Sequence, residues 1–167
     1  MHPPDKRRLN NYFPASLNNA PTKILITMDT GIKVGDCMKT ALVTIGEDAS
    51  SFDAARKMAE HKVGCLLVEK GGKITGIVTD SDLIKKCLAT ERVDKKISEI
   101  ASKNLVGVGI DADLSEAARV MGQKKIRRLV IQKSGRVVGI ISESDIVGIS
   151  PSLYDLIAQK QALQARA

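Results

Sequence analysis

Hydrophobic and polar positions along the chain follow two periods, and the succession occurs twice. A short apolar run, Leu42 to Ile45, gives way to a helical pattern in which Ala54, Ala55 and Met58 share one face. Two strand patterns follow, Cys65 to Glu69 and Ile74 to Val78, parted by the turn Lys70-Gly71-Gly72-Lys73. A second helical pattern then opens at Asp80-Ser81-Asp82 and carries Leu83, Ile84, Cys87 and Leu88. The second round runs from Leu105 to Val108 through a helix with Leu114, Ala117, Ala118 and Met121 inward. Strands Arg128 to Gln132 and Val137 to Ile141 flank Lys133-Ser134-Gly135-Arg136, and a closing helix follows Ser142-Glu143-Ser144-Asp145. Each round predicts β-α-β-β-α.

The rounds are copies. Setting Asp82 against Asp145 fixes an offset of 63 residues that holds without a gap back to Val34 against Ile97. Under it Gly46 meets Gly109, Asp48-Ala49 meets Asp111-Ala112, Ala54-Ala55-Arg56 meets Ala117-Ala118-Arg119, and Met58 meets Met121. Such self-similarity marks a duplicated supersecondary unit. Ser50 with Asp53, and Asp113 with Glu116, have the spacing of a capping box ahead of the first helix in each copy. A unit of about 60 residues is near the lower limit for a self-sufficient core, so the two are expected to pack as a pseudo-two-fold pair burying a shared sheet face. The chain divides into a Pro- and Asn-rich basic tail at 1–22, expected to be mobile, a first unit at 23–90 with a strand candidate at Lys23 to Met28, a charged linker at 91–96, a second unit at 97–149, and a segment at 150–167. There Ser150-Pro151 opens a last helix with Leu153, Leu156 and Ile157 on one side.

Composition sharpens this picture. Aromatics make up 2% and hydrophobic residues 43% of the 167 residues, so the core is aliphatic, which favours a mixed α/β (α+β) architecture. A net charge of +7 permits nucleic acid, anionic surfaces or phosphorylated small molecules as partners. Cys37, Cys65 and Cys87 are odd in number and far apart, with only His2 and His61 to assist. They imply neither a disulfide framework nor a metal site, and fit a reducing cytosol as small core residues. No run approaches the roughly 20 apolar residues of a membrane span, so a soluble, cytoplasmic protein without a membrane partner is expected. The histidines have no nucleophile to serve, and no Gly-x-x-x-x-Gly-Lys loop occurs. The reading is a protein that binds rather than catalyses, with no catalytic residue and no required cofactor.

The duplicated stretch with candidate chemistry is Gly76-Ile77-Val78-Thr79-Asp80-Ser81-Asp82 and its copy Gly139-Ile140-Ile141-Ser142-Glu143-Ser144-Asp145. Each places hydroxyls, a carboxylate and free backbone N–H groups where a strand turns into a helix. Helix N-termini favour anions such as phosphate, and a carboxylate accepts two hydrogen bonds from a ribose diol. The same residue types are also the preferred helix caps. The copies differ nearby: the second has Lys124, Lys125, Arg127 and Arg128 where the first has His61, Lys62, Gly64 and Cys65. Guanidinium groups grip phosphate bidentately, so the cleft reached by Arg127 and Arg128 is expected to hold a phosphorylated ligand more tightly. The other would take a less charged adenosyl group or stay empty.

The opening Val-Gly-Asp-x-Met, the Asp-Ala-x-x-x-x-x-Ala-x-x-x-Met helix and the paired Gly-x-x-[Thr/Ser]-x-x-Asp endings resemble a tandem pair of cystathionine β-synthase (CBS) domains, a Bateman module, from about Ile32 to Ile149. The resemblance implies a regulatory module that takes AMP, ADP, ATP or S-adenosylmethionine in clefts between the units, as a homodimer that signals to another protein. It implies ribose contacts from Asp82 and Asp145, and ribose or phosphate contacts from Thr79, Ser81, Ser142 and Ser144. An adenine wall would come from Gly64, Cys65 and the strands near Thr44-Ile45 and Gly107-Val108. The proline that many members carry in this strand is Leu67 and Val130 here. The alternatives are a basic nucleic-acid-binding protein, against which the lack of aromatic platforms and of helix-turn-helix or zinc patterns stands, and a ligand-free dimerisation scaffold.

Overall fold

The structure, a computed structural model, describes residues 29–154 and 157. The expected tail, the Lys23 to Met28 strand and Leu156 of the expected last helix lie outside the described residues. Each copy forms a three-stranded sheet. In the first, β1 (Thr44–Gly46) runs parallel to β2 (Cys65–Lys70), which pairs antiparallel with β3 (Lys73–Thr79). The second repeats this with β4 (Gly107–Gly109), β5 (Arg128–Lys133) and β6 (Arg136–Ser142). Parallel neighbours need a long return, supplied by α2 (Ser51–His61) and α5 (Leu114–Lys124). The closing helices are α3 (Asp80–Lys86) and α6 (Glu143–Ile149).

Local chemistry places the ends of these elements. Ser50 and Asp53 form the expected box, with Ser50 Oγ accepting from Asp53 N at 3.0 Å and Asp53 Oδ2 accepting from Ser50 N at 3.3 Å. Asp113 also caps, but by accepting from Ser115 N at 2.8 Å, while its second oxygen takes Thr30 N and Oγ1. Ser115 and Thr30 saturate that carboxylate, and Glu116 completes no box. Both long helices end on a left-handed lysine, Lys62 at φ 53° and Lys125 at φ 54°, a place that usually goes to glycine. Ser150 precedes a 3-10 turn at Pro151–Leu153 without a side-chain cap bond; its hydroxyl lies 3.2 Å from that of Ser152 instead.

The packing units differ from the sequence repeats. The opening segment of each repeat docks on the other unit. Within α1 (Val34–Cys37), Val34 N donates to Ala112 O at 2.9 Å and Gly35 N to Ile110 O at 3.0 Å, and Lys39 bridges Ile140. Val34 is fully buried in the core that also holds Leu114, Met121, Leu129 and Ile146. Reciprocally, within α4 (Ile97–Ile100), Ile97 N donates to Ala49 O and Ser98 N to Glu47 O, each at 2.9 Å, and Ser102 bridges Ile77. Ile97 and Ile100 complete the core of Ala54, Met58, Leu66 and Val78. The cause is reach: few residues separate α3 from α4, and Lys86 Nζ donates to Ile100 O at 2.6 Å. α4 thus stays on the unit the chain has just left.

Strand alternation puts Leu66 and Val68 against the helices and Leu67 on the opposite face. Leu67 is 2% exposed and its mate Val130 is 1% exposed, though neither belongs to a helical core. Burial there requires the two sheets to cover one another, as the short units predict. Cys87 is buried, whereas Cys37 and Cys65 are only half-buried, and all three are free. Among the described residues no helix is long and apolar enough to cross a membrane, and no cluster of His, Cys, Asp or Glu could hold a metal.

Gly76 and Gly139 sit where the exchanged segments press closest. A Cβ on Gly76 would lie 2.8 Å from Ser102 O, a backbone atom held by Ile77 N, whereas one on Gly139 would meet the side chain of Met38. A flexible thioether moves more cheaply than a paired carbonyl. In urea unfolding Gly76→Ala is therefore expected to cost about 1–3 kcal/mol and Gly139→Ala distinctly less; the reverse order would contradict the exchange.

Candidate functional site

Among the described residues, two clefts along the seam between the units gather most of the residues named from sequence. One, of about 280 Å³, lies between α6 and the start of β2, with Ser142, Ser144 and Asp145 on one side and Val63, Gly64 and Cys65 on the other. The second, of about 410 Å³, lies between α3 and the start of β5, with Thr79, Ser81 and Asp82 facing Ile126, Arg127 and Arg128. Each cleft thus joins the end of one repeat to the hairpin start of the other. The crossing segments that follow α1 and α4 supply apolar floor: Ala41 and Val43 in the Asp145 cleft, Leu105 and Val106 in the Asp82 cleft.

The two aspartates are built alike. Asp82 Oδ2 accepts from Thr79 N at 2.9 Å and Thr79 Oγ1 at 2.7 Å, and Asp145 Oδ2 accepts from Ser142 N at 2.9 Å and Ser142 Oγ at 2.5 Å. Both are capping boxes, so the structural role that sequence allows for these residues is filled. The remaining oxygen meets a lysine at 2.8 Å in each case, Lys86 from the same helix for Asp82 and Lys39 from the exchanged segment for Asp145. Burial raises both carboxyls, but the lysines and the capping hydroxyls and N–H groups outweigh it and hold each below the usual carboxylate range. The backbone donors expected to be free are in part occupied. Asp80 N and Glu143 N donate to the carbonyls of Gly64 and Arg127, Asp82 N and Asp145 N to the capping hydroxyls, and Ser81 N to Asp80 Oδ1. Recognition of an anion therefore falls mainly to side-chain cations.

Arg127 and Arg128 line both clefts, not one. β5 begins at the seam, so its first residues form the wall that separates them. Arg128 Nη2 lies 3.7 Å from Asp80 Oδ2, and its guanidinium occupies the space a side chain at position 64 would need. Cys65 holds the matching place in the first repeat, where burial pushes its thiol up and keeps it neutral.

Of the residues named from sequence, Gly64, Cys65, Ser142, Ser144 and Asp145 meet in one cleft, Thr79, Ser81 and Asp82 in the other, and the two arginines in both. Thr44, Ile45 and Val108 line neither. β1 and β4 start about two residues later than expected, and strand alternation points Ile45 and Val108 into the helical cores at 6% and 7% exposure. The lining missed from sequence includes Ala41, Val43, Leu105 and Val106, together with Lys39, Ile77 and Ile140. Ile77 with Ile140, and Val43 with Val106, carried a signal as identical residues at the repeat offset, whereas Lys39 stands opposite Ser102 and carried none.

The family profile of the CBS domain matches twice, over residues 34–89 and 97–151. The CBS domain-containing protein YhcV of Bacillus subtilis is 32% identical over 114 residues, spanning 68% of this chain and 81% of that protein. Among solved structures, an uncharacterized conserved protein from Pyrococcus horikoshii superposes with a TM-score of 0.70 at 29% identity, over 74% of this chain and 95% of the other. The CBS domain pair of MJ0100, in complex with 5′-methylthioadenosine and S-adenosyl-L-methionine, gives 0.66 at 28%, over 72% and 97%. CBSX2 in complex with AMP gives 0.63 at 26%, over 74% and 99%.

Folding lowers both carboxyls, so the stability they contribute is complete above about pH 4 and is lost as pH falls through their folded-state values. Between pH 6 and pH 3 the wild type should lose more unfolding free energy in urea than Asp82→Asn/Asp145→Asn; equal losses would remove these groups from the acid response.

Proposed function

The chain belongs to the CBS-domain family, and from that premise we propose that it is a ligand-sensing module that binds an adenosine-containing small molecule between its two units and reports occupancy to another protein. The observation that carries this reading is the composition of each cleft: an aspartate and two hydroxyl residues from one repeat face the hairpin start of the other across an apolar floor, Ala41 and Val43 or Leu105 and Val106. A ribose diol suits the former and an adenine ring the latter. Ligand pockets run from about 300 to about 1,000 Å³, and clefts of about 280 and about 410 Å³ give room for an adenosine moiety, with the rest of a larger ligand free to extend through the open mouth. The adenosyl ligands of MJ0100 and CBSX2 support the same class.

Occupancy would act through the seam. A ligand that touches both units binds best at one relative setting of the sheets and shifts the population toward it. The crossing segments Lys39–Val43 and Ser102–Val106 would transmit the change, because each lines a cleft and joins a helix docked in the opposite core to the core of its own repeat.

Thermal unfolding with AMP, ADP, ATP and S-adenosylmethionine tests the reading. A ligand at about 100 times its Kd adds about 2.7 kcal/mol, a rise of roughly 5–11 °C in Tm for a chain of this size, and Asp82→Ala/Asp145→Ala should lose that rise. If no compound moves Tm in the wild type, the sensing role is withdrawn.

The first unit also leaves Phe52, Ile84, Leu88 and Val93 more than half exposed, which supports self-association over its helical side. Light scattering should give a dimer that Ile84→Asp/Leu88→Asp converts to monomer; a monomeric wild type would exclude it.

A further inference from the structure

We propose that Arg128 is one cation shared by two clefts, so that a phosphorylated ligand in either cleft weakens binding of a phosphorylated ligand in the other, while an uncharged nucleoside escapes this coupling. The inference rests on the reading that both clefts take adenosine-type ligands, and it concerns how they divide one charge.

Three observations carry it. Arg128 lines both clefts, and its side chain is only 20% exposed, so its charge is the least water-screened of the cations on that shared wall. Its place is built: Asp80 Oδ2 stands 3.7 Å from Nη2, and the absence of a side chain at Gly64 leaves room for the guanidinium. Finally, the duplication did not copy it. Cys65 occupies the matching position, Gly64 stands opposite Arg127, and Asp80 opposite Glu143. A faithful copy would put arginines on both hairpin starts; this chain has them on one, and of the two only Arg128 is sheltered from water.

The other cations do not relieve the shortage. Lys39 and Lys86 are engaged by Asp145 and Asp82 at 2.8 Å. Lys62 lines the Asp145 cleft, and Lys85 and Lys125 line the Asp82 cleft; all three are exposed, so water and salt screen their charges. Arg127 is exposed as well. A first phosphate drawing the Arg128 fork toward itself satisfies the donors a second would need, and it adds its own negative charge across the wall. The second ligand meets a neutralised arginine and a like charge.

Isothermal titration with AMP and with adenosine tests this on the wild type, Arg128→Gln and two plugged variants. Ser144→Trp and Ser81→Trp put a large ring at matched positions in one cleft each, and circular dichroism checks that they remain folded. The plugged variants report each cleft alone. In the wild type the second AMP should bind about tenfold more weakly than the weaker plugged variant does, a coupling of ordinary size. With adenosine the two wild-type steps should equal the two plugged values. Independent of the plugs, the ratio of the two AMP dissociation constants should fall about tenfold in Arg128→Gln. AMP steps that reproduce the single-cleft affinities, coupling that persists with adenosine, or an unchanged ratio in Arg128→Gln would each overturn the proposal while leaving the sensing role intact. If neither AMP nor adenosine binds at all, this inference falls, and the functional reading falls with it when ADP, ATP and S-adenosylmethionine also leave Tm unchanged.

Discussion

The structure depends on one reciprocal exchange: the segment that opens each repeat completes the core of the other. Val34 and Ile97 are both fully buried, each in a core built from the opposite repeat's helices and hairpin, and each is anchored by backbone hydrogen bonds near 2.9 Å. Without Ile97 and Ile100 the first core lacks two of its largest buried side chains. A unit of about 60 residues has little surplus burial to lose. The exchange therefore couples the folding of the halves more tightly than sheet packing alone would, and it brings the two sheets face to face over Leu67 and Val130.

The clefts follow from the same constraint. After each exchanged segment the chain must cross the seam to reach its own sheet, and the crossing residues Ala41, Val43, Leu105 and Val106 become cleft floor. Lys39 reaches Asp145 for the same reason. The site is consequently made of pieces whose relative position is set by how the two units sit together, the arrangement a sensor needs. Functional and structural demands also coincide at Asp82 and Asp145. One oxygen of each closes a helix cap and the other meets a lysine, so the group that would hold ribose is already oriented and ionised at neutral pH.

Departures from symmetry make the two clefts chemically unlike. The repeats agree in the cap of the closing helix, in the glycine-containing hairpin turn and in the left-handed end of the long helix, but differ at positions 64, 65 and 80 against 127, 128 and 143. These substitutions leave the backbone plan untouched because they lie at the seam, where neither helical core constrains side-chain size. They concentrate positive charge on the wall between the clefts, an outcome no single unit could express.

The sequence by itself determined the repeat, its β-α-β-β-α order, the aliphatic α/β character and the pairing of a hydroxyl with an aspartate at each strand end. These depend on periodicity, capping chemistry and spacing, all interactions within a few residues. The two caps with Asp82 and Asp145 were legible for that reason, as was their convergence with Gly64, Cys65, Ser81 and Ser144 through the family resemblance. Tertiary structure alone decided which unit Val34 and Ile97 join, whether Ile45 and Val108 face core or cleft, and that Arg127 and Arg128 border both sites. Each of those outcomes turns on contacts between residues tens of positions apart, and a one-residue shift of a strand reverses which face a side chain takes.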